Sequence, residues 1–329
     1  MSAGAPAVPG PARVRTPAGP GLVLGALLVC GVLFLPVAYL LLRAGQADAS
    51  AWDLILRART VSLAARSLGL AAAVTAAAVA IGVPLAWLTV RTDLPLRRFW
   101  GVAGSLPLVV PSYVGAFALL AALGPRGLVQ EALTPLGVEQ LPSIAGFPGA
   151  FLTLTLFTYP YVYLLTAGGL RGQDPALEEA ARSLGRSRWE AFRTVTLPLL
   201  RPSIAAGGLL VALYTLHDFG AVSLMRFQTF TQAIFLQYRG AFDRTPAAIL
   251  SLILVALALA VLAVEQRSRG RARYFRTAGG SARPPQPIPL GRWRRPALAF
   301  CMLVVAMGFL LPVSVLGVWL ARGVAGGLD

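Results

Sequence analysis

Lysine is absent from the 329 residues: all 29 basic residues are arginine. A phosphate-binding loop of the GxxxxGKS/T type needs its lysine on the phosphates, so the chain has no such loop with which to hydrolyse ATP. Schiff-base chemistry is excluded on the same ground. Histidine occurs once, at His217, which leaves no HExxH pair and no His-rich metal cluster. The two cysteines, Cys30 and Cys301, lie in separate apolar runs without a CxxC partner, so neither a disulfide framework nor a zinc site is expected. Charge is scarce as well, at 13% of residues, whereas 57% are hydrophobic. Soluble domains run near 25% charged and about 45–50% apolar. With a mean hydropathy of +0.71, this is the composition of a membrane protein.

A bilayer core takes about 20 apolar helical residues to cross. Seven runs meet that length: 21–42, 67–90, 99–123, 149–170, 202–225, 245–264 and 296–321. Only the fifth holds an ionisable acid, Asp218. The first run has 22 uncharged residues and no convincing A-x-A cleavage pattern, and reads as an uncleaved anchor. Cytoplasmic loops retain arginine, which sets the orientation. With the N-terminus inside, 20 arginines fall in inside segments and 8 outside, Arg66 lying at a span edge. The net charge of +16 is then explained by topology, and nucleic acid is not an expected partner.

The expected fold is all-α, a polytopic integral membrane protein. Residues 1–20 form a cytoplasmic tail and 21–265 a six-span unit. Residues 266–296, rich in Pro and Arg, read as an extended linker. The seventh span, in 297–329, resembles the first: Leu310-Leu311-Pro312-Val313 matches Phe34-Leu35-Pro36-Val37, each a few residues beyond a cysteine. It is expected to open a second copy of the unit, cut short.

The segment between the fourth and fifth spans, within 172–201, is more than a connector. Asp174-Pro175 is an N-cap followed by proline at the first helical position. Glu178 and Arg182 stand i,i+4, and Gly185 is a helix stop. Ser187 and Glu190 form a capping-box pattern, and the helix they open is expected to pass Phe192 and end before Pro198. Two short helices meeting at a glycine corner, with apolar Leu177, Leu184 and Trp189, make a rigid knob able to transmit force. A DNA-binding helix-turn-helix has the same outline but needs a third helix, for which residues 173–202 leave no room. A merely structural amphipathic loop is the plainer alternative.

Glu179-Ala180-Ala181, three residues, Gly185, nine residues, then Val195-Thr196-Leu197-Pro198 resembles the EAA loop, EAA-x3-G-x9-I-x-L-P. That loop marks the permease subunits of type I, binding-protein-dependent ABC importers. Val195 for isoleucine is the one departure. Ser112 to Phe117, Pro160 to Leu165, Asp218 to Val222 and Phe242 to Thr245 are similar to segments of ferric-iron-type permeases, which are related to the thiamine-type group and usually carry two fused halves. The resemblance implies a bacterial inner-membrane permease that binds no cofactor itself and whose ATP is hydrolysed by separate ABC ATPase subunits. It implies that Glu179 through Gly185 dock in the ATPase and that Val195, Leu197 and Pro198 complete the loop. An extracytoplasmic binding protein selects the ligand, ferric iron first, thiamine or an oxyanion otherwise. One EAA loop is present where the pathway needs two, so a second permease half is implied, fused downstream or separate.

Candidate path residues are Ser112 and Tyr113 in the third span and Tyr214, His217 and Asp218 in the fifth. Ionisable groups at membrane depth face a bundle interior, where they line a path or bond neighbouring helices; both readings stand. One imidazole and one carboxylate do not make an iron site. Pro107 and Pro111 break backbone bonding in the third span, which Ser105, Ser112 and Tyr113 can re-satisfy. Tyr159, Tyr161 and Tyr163 read as interfacial belt residues. An ion-coupled secondary transporter also fits seven spans with a polar patch at 214–218, and differs in needing no ATPase.

Overall fold

The computed structural model describes residues 19–47, 58–125, 127–137, 140, 142–240, 244–268 and 287–325. Most of the expected N-terminal tail, residues 242–243 and linker residues 269–286 lie outside the described residues. Among those described, regular structure is helical apart from one isolated β-bridge. Seven segments are long and apolar enough to cross a membrane, as expected. They lie in or around Pro20–Gly45 (α1), Ala58–Arg91 (α2), Ser112–Leu123 (α4), Phe147–Arg171 (α6), Leu197–His217 (α9), Thr245–Ser268 (α12) and Leu311–Ala325 (α14). Shorter helices are Arg97–Ala103 (α3), Leu128–Leu133 (α5), Pro175–Ser183 (α7), Arg188–Ala191 (α8), Gly220–Leu224 (α10), Phe230–Gly240 (α11) and Arg294–Val305 (α13).

The bundle centre is α2, α6 and α9, brought close by glycine. A Cβ on Gly207 of α9 would stand 2.6 Å from the Val162 Cα, and one on Gly82 of α2 would stand 2.9 Å from the Tyr163 nitrogen. Around these contacts Leu70, Val74, Leu85, Leu154 and Val211 form the apolar core. With 34 residues, α2 is about 51 Å long and overruns a hydrocarbon core of about 30 Å.

The third span is not the single run expected. Pro107 and Pro111 divide it into α3, a 3₁₀ turn at Leu106–Val109, and α4. A helix that stops inside a bundle leaves carbonyls without helical donors. Here Tyr159 and Tyr163 supply them: their hydroxyls donate to the Gly104 and Gly101 carbonyls at 2.8 and 2.9 Å. Both tyrosines are fully buried, so the expectation of belt residues fails for them. Ser105 Oγ donates to the Val102 carbonyl, as foreseen.

The fifth span departs twice. Upstream, α8 does not end before Pro198 but passes through a π-turn at Phe192–Thr196 directly into α9. Downstream, α9 stops at His217 and a new helix, α10, begins at Gly220. A second π-turn, Ala306–Leu310, joins α13 to α14. Each π-turn precedes a proline, Pro198 or Pro312. The proline ring removes a donor and crowds the carbonyl four residues back, and the wider turn relieves both.

The two spans that look alike in sequence sit differently. α1 has one buried residue, Ala44, and touches α12. The seventh span is seated in the core: Cys301 is fully buried, Gly308 lies against Pro107, and the Trp319 and Phe117 rings meet edge-on at 4.7 Å. Its approach is also held, because Ile288 bridges to Thr92.

Gly207→Val should lower the stability of the detergent-extracted protein by about 1–3 kcal/mol or more, since the added carbons meet backbone. Gly25→Val, in open space, should leave it unchanged. Thermal unfolding of the two variants checks the pair.

Candidate functional site

The loop is capped at every turn. Asp174 Oδ1 accepts from the Ala176 nitrogen at 3.0 Å, opening α7 with Pro175 in its first turn. At its end Gly185 takes φ +87°, its nitrogen donating to Arg182 O and the Arg186 nitrogen to Ala181 O. This is a Schellman ending, which requires the left-handed backbone that glycine adopts without strain. Two residues on, the Ser187 nitrogen donates to Glu190 Oε2 at 2.8 Å and the Glu190 nitrogen to Ser187 Oγ at 3.3 Å, the reciprocal capping box. These bonds from Ser187 hold the Glu190 carboxyl below the usual carboxylate range. A lowered folded value means that the cap is at full strength above the unfolded carboxylate value and weakens as pH falls through the lowered one. Arg186 Nη1 donates to Thr194 Oγ1 at 2.7 Å across the corner.

The motif residues divide into crest and root. Glu179, Ala180 and Gly185 are exposed, beside Leu177, Trp189 and Leu184, which is 85% exposed. Ala181 is buried, and Val195, Leu197 and Pro198 are half-buried where the loop enters α9. Phe192 stacks on Trp189 and meets Trp87 of α2 edge-on, wedging the root against the bundle. Glu178 does not turn to Arg182. It forms an ion pair with Arg91, the last residue of α2, with side chains 16% and 6% exposed. Arg91 was legible in sequence only as a topology charge; its one signal is its position at the end of a long apolar run.

Four of the path candidates lie at or beside the breaks in the third and fifth spans. Ser112 Oγ, at the start of α4, donates to Asp218 Oδ2 at 2.6 Å. Asp218 Oδ1 accepts from the Ala221 and Val222 nitrogens at 3.0 and 3.3 Å, and Thr231 Oγ1 donates to the Asp218 carbonyl. The carboxylate thus replaces the helical acceptors lost where α9 stops. Tyr113 is 57% exposed and lies against Gly220, where a Cβ would stand 2.7 Å from its own. His217 is exposed, with Nδ1 3.0 Å from the Leu213 carbonyl. Tyr214, one turn back and away from the Ser112 contact, lies between Tyr161 and His217 with ring separations of 6.0 and 5.0 Å. Among the described residues no group of three or more His, Cys, Asp and Glu is placed to hold a metal.

Asp218→Ala should cost about 1–3 kcal/mol for each donor left unpaired at Ser112, Ala221 and Val222. Asp218→Asn, which keeps one acceptor oxygen, should cost less, and unfolding temperatures in detergent rank the two.

A family model, "Binding-protein-dependent transport system inner membrane component", matches residues 78–274, which contain both the loop and the Ser112–Asp218 contact. The Fe(3+)-transport system permease protein FbpB 2 of Haemophilus influenzae is 30% identical over 305 residues, covering 92% of this chain and 56% of that protein. The molybdenum transport system permease protein ModB of Escherichia coli is 37% identical over 141 residues, covering 43% of this chain and 60% of that one. The chain therefore spans less than two thirds of the length of either relative. A bacterial ABC transporter involved in the import of the acidic polysaccharide alginate shares the fold, with a TM-score of 0.59 at 15% identity over 77% of this chain and 96% of its own. With a match across 78–274, more than half its length, the chain belongs to the family of inner membrane permease components of binding-protein-dependent ABC transport systems.

Proposed function

We propose that the chain forms the translocation path of an ATP-driven importer and couples it, through the EAA loop, to a separate ATPase. One observation carries this reading. Arg188–His217 is a single helical run of 30 residues, about 45 Å long, with the capped loop at one end and the Asp218–Ser112 contact at the other. A push on the crest at Glu179, Ala180 and Gly185 is delivered through Ala181, Val195, Leu197 and Pro198 to the place where two spans break. The loop faces the cytoplasm and its ATPase subunits, with the N-terminus on the same side. A loaded binding protein docks on the opposite face, and a second permease half, fused downstream or separate, supplies the second loop. ATP is consumed by the partner, and the chain itself holds no cofactor.

The substrate we assign is ferric iron, on the likeness to the iron permease across 92% of the chain. The second reading is an oxyanion, favoured by the higher identity to the molybdenum permease over 43% of the chain. Uptake of radiolabelled ferric iron and molybdate by cells carrying the complete system separates them: accumulation of molybdate alone overturns the iron assignment.

Gly185→Trp should insert normally while ATPase association and uptake fall to the background of a strain lacking the chain. Wild-type uptake in that variant would overturn the docking role.

A further inference from the structure

At the end of the bundle that carries the loop, three distant segments meet at one residue. The side chain of Arg91 pairs with Glu178 of α7 through Nη2. Thr196 Oγ1, in the π-turn, also donates to that carboxylate, and Gln173 Nε2 donates to the Thr196 carbonyl. The main chain of Arg91 does a second job: its carbonyl accepts from the Ile288 nitrogen at 2.8 Å. The Asp93 nitrogen returns a bond to the Ile288 carbonyl at 3.1 Å, and Asp93 Oδ1 accepts from the Leu290 nitrogen at 2.8 Å. Thr92 between them is fully buried, its hydroxyl turned back to the Leu88 carbonyl.

We propose that Arg91 is a positioning residue that clasps the first helix of the coupling loop and the extended segment leading into the seventh span to the end of α2, so that movement of the loop reaches both. The proposal rests on the coupling function proposed above and adds the residue that divides the motion. Its basis is geometric. α2 packs along the bundle centre, so its last residue is a fixed point rather than a mobile loop end. The ion pair is shielded from water, where it is weakened little by screening. It is also made through one guanidinium nitrogen, since Nη1 is buried with no partner among the described residues.

The test reads geometry and coupling separately, in a Cys30→Ser background. Spin labels at the exposed positions 184 and 293 report the distance from the loop to the entry of the seventh span. In the otherwise wild-type chain the distribution should be narrow. Arg91→Gln should broaden it, Arg91→Lys should broaden it less, and the charge-exchanged pair Arg91→Glu with Glu178→Arg should narrow it again. In the reconstituted complex Arg91→Gln should keep the ATPase bound and lower solute moved per ATP hydrolysed about tenfold, with recovery in the exchanged pair. An unchanged distribution in Arg91→Gln overturns the clasp, whatever transport does. Broadening with unchanged solute per ATP overturns its role in coupling, as does loss of ATPase binding in Arg91→Gln, which would make the pair part of the docking surface. If Arg91→Gln fails to assemble, Arg91→Lys carries the same comparison. A wild-type complex that moves no solute on ATP sinks the proposed function, while the spin-label arm still decides the clasp.

Discussion

Backbone groups inside a bilayer find no water, so each interruption of a spanning helix must be closed by the protein itself. This chain interrupts its third span at Pro107 and Pro111 and its fifth at Asp218, and owns few polar side chains with which to repair them. The repairs include the contacts that reach furthest between the spans. Tyr159 and Tyr163 take up the carbonyls freed where α3 ends. Asp218 takes up the amides freed where α10 begins, and ties them to Ser112 beside Pro111. π-turns stand ahead of Pro198 and Pro312, where the wider turn makes room for the ring. The breaks in the third and fifth spans thereby end against each other, and the one buried acid of the spans becomes their joint.

Outside the hydrocarbon the same backbone problem is met by local caps instead of tertiary contacts. Asp174, Gly185 and the Ser187–Glu190 box close both ends of a loop that leaves Leu184 almost bare and Trp189 largely exposed. Rigidity and exposed apolar surface together are what a solvated connector lacks. Because α8 runs on into α9, the knob is continuous with a spanning helix rather than separated from it at Pro198.

Length and hydropathy were enough to locate all seven spans, and the loop's caps were readable because each is made by residues within five positions of one another. The interruptions were harder. Pro107 and Pro111 announced trouble in the third span, whereas the stop at His217 has no proline, and half of what holds Asp218 there, the bond from Ser112, comes from more than 100 residues away. Tyr159 and Tyr163 were misplaced for the same reason: their acceptors belong to another helix. Glu178 was given the neighbour that helical spacing offers, Arg182, whereas the ion pair formed is with Arg91, 87 positions distant. The seventh span resembles the first in sequence, yet its seat against Pro107 and Phe117 is a property of packing that the likeness does not contain.

The central claim is that the capped loop is the seat of a separate ATPase. A photo-activatable amino acid at position 184, whose leucine side chain is 85% exposed, tests it most directly in native membranes. The account predicts an adduct with an ATPase subunit that disappears when Gly185 is replaced by tryptophan. An adduct with lipid or solvent alone, in cells that carry the complete transporter, would contradict it.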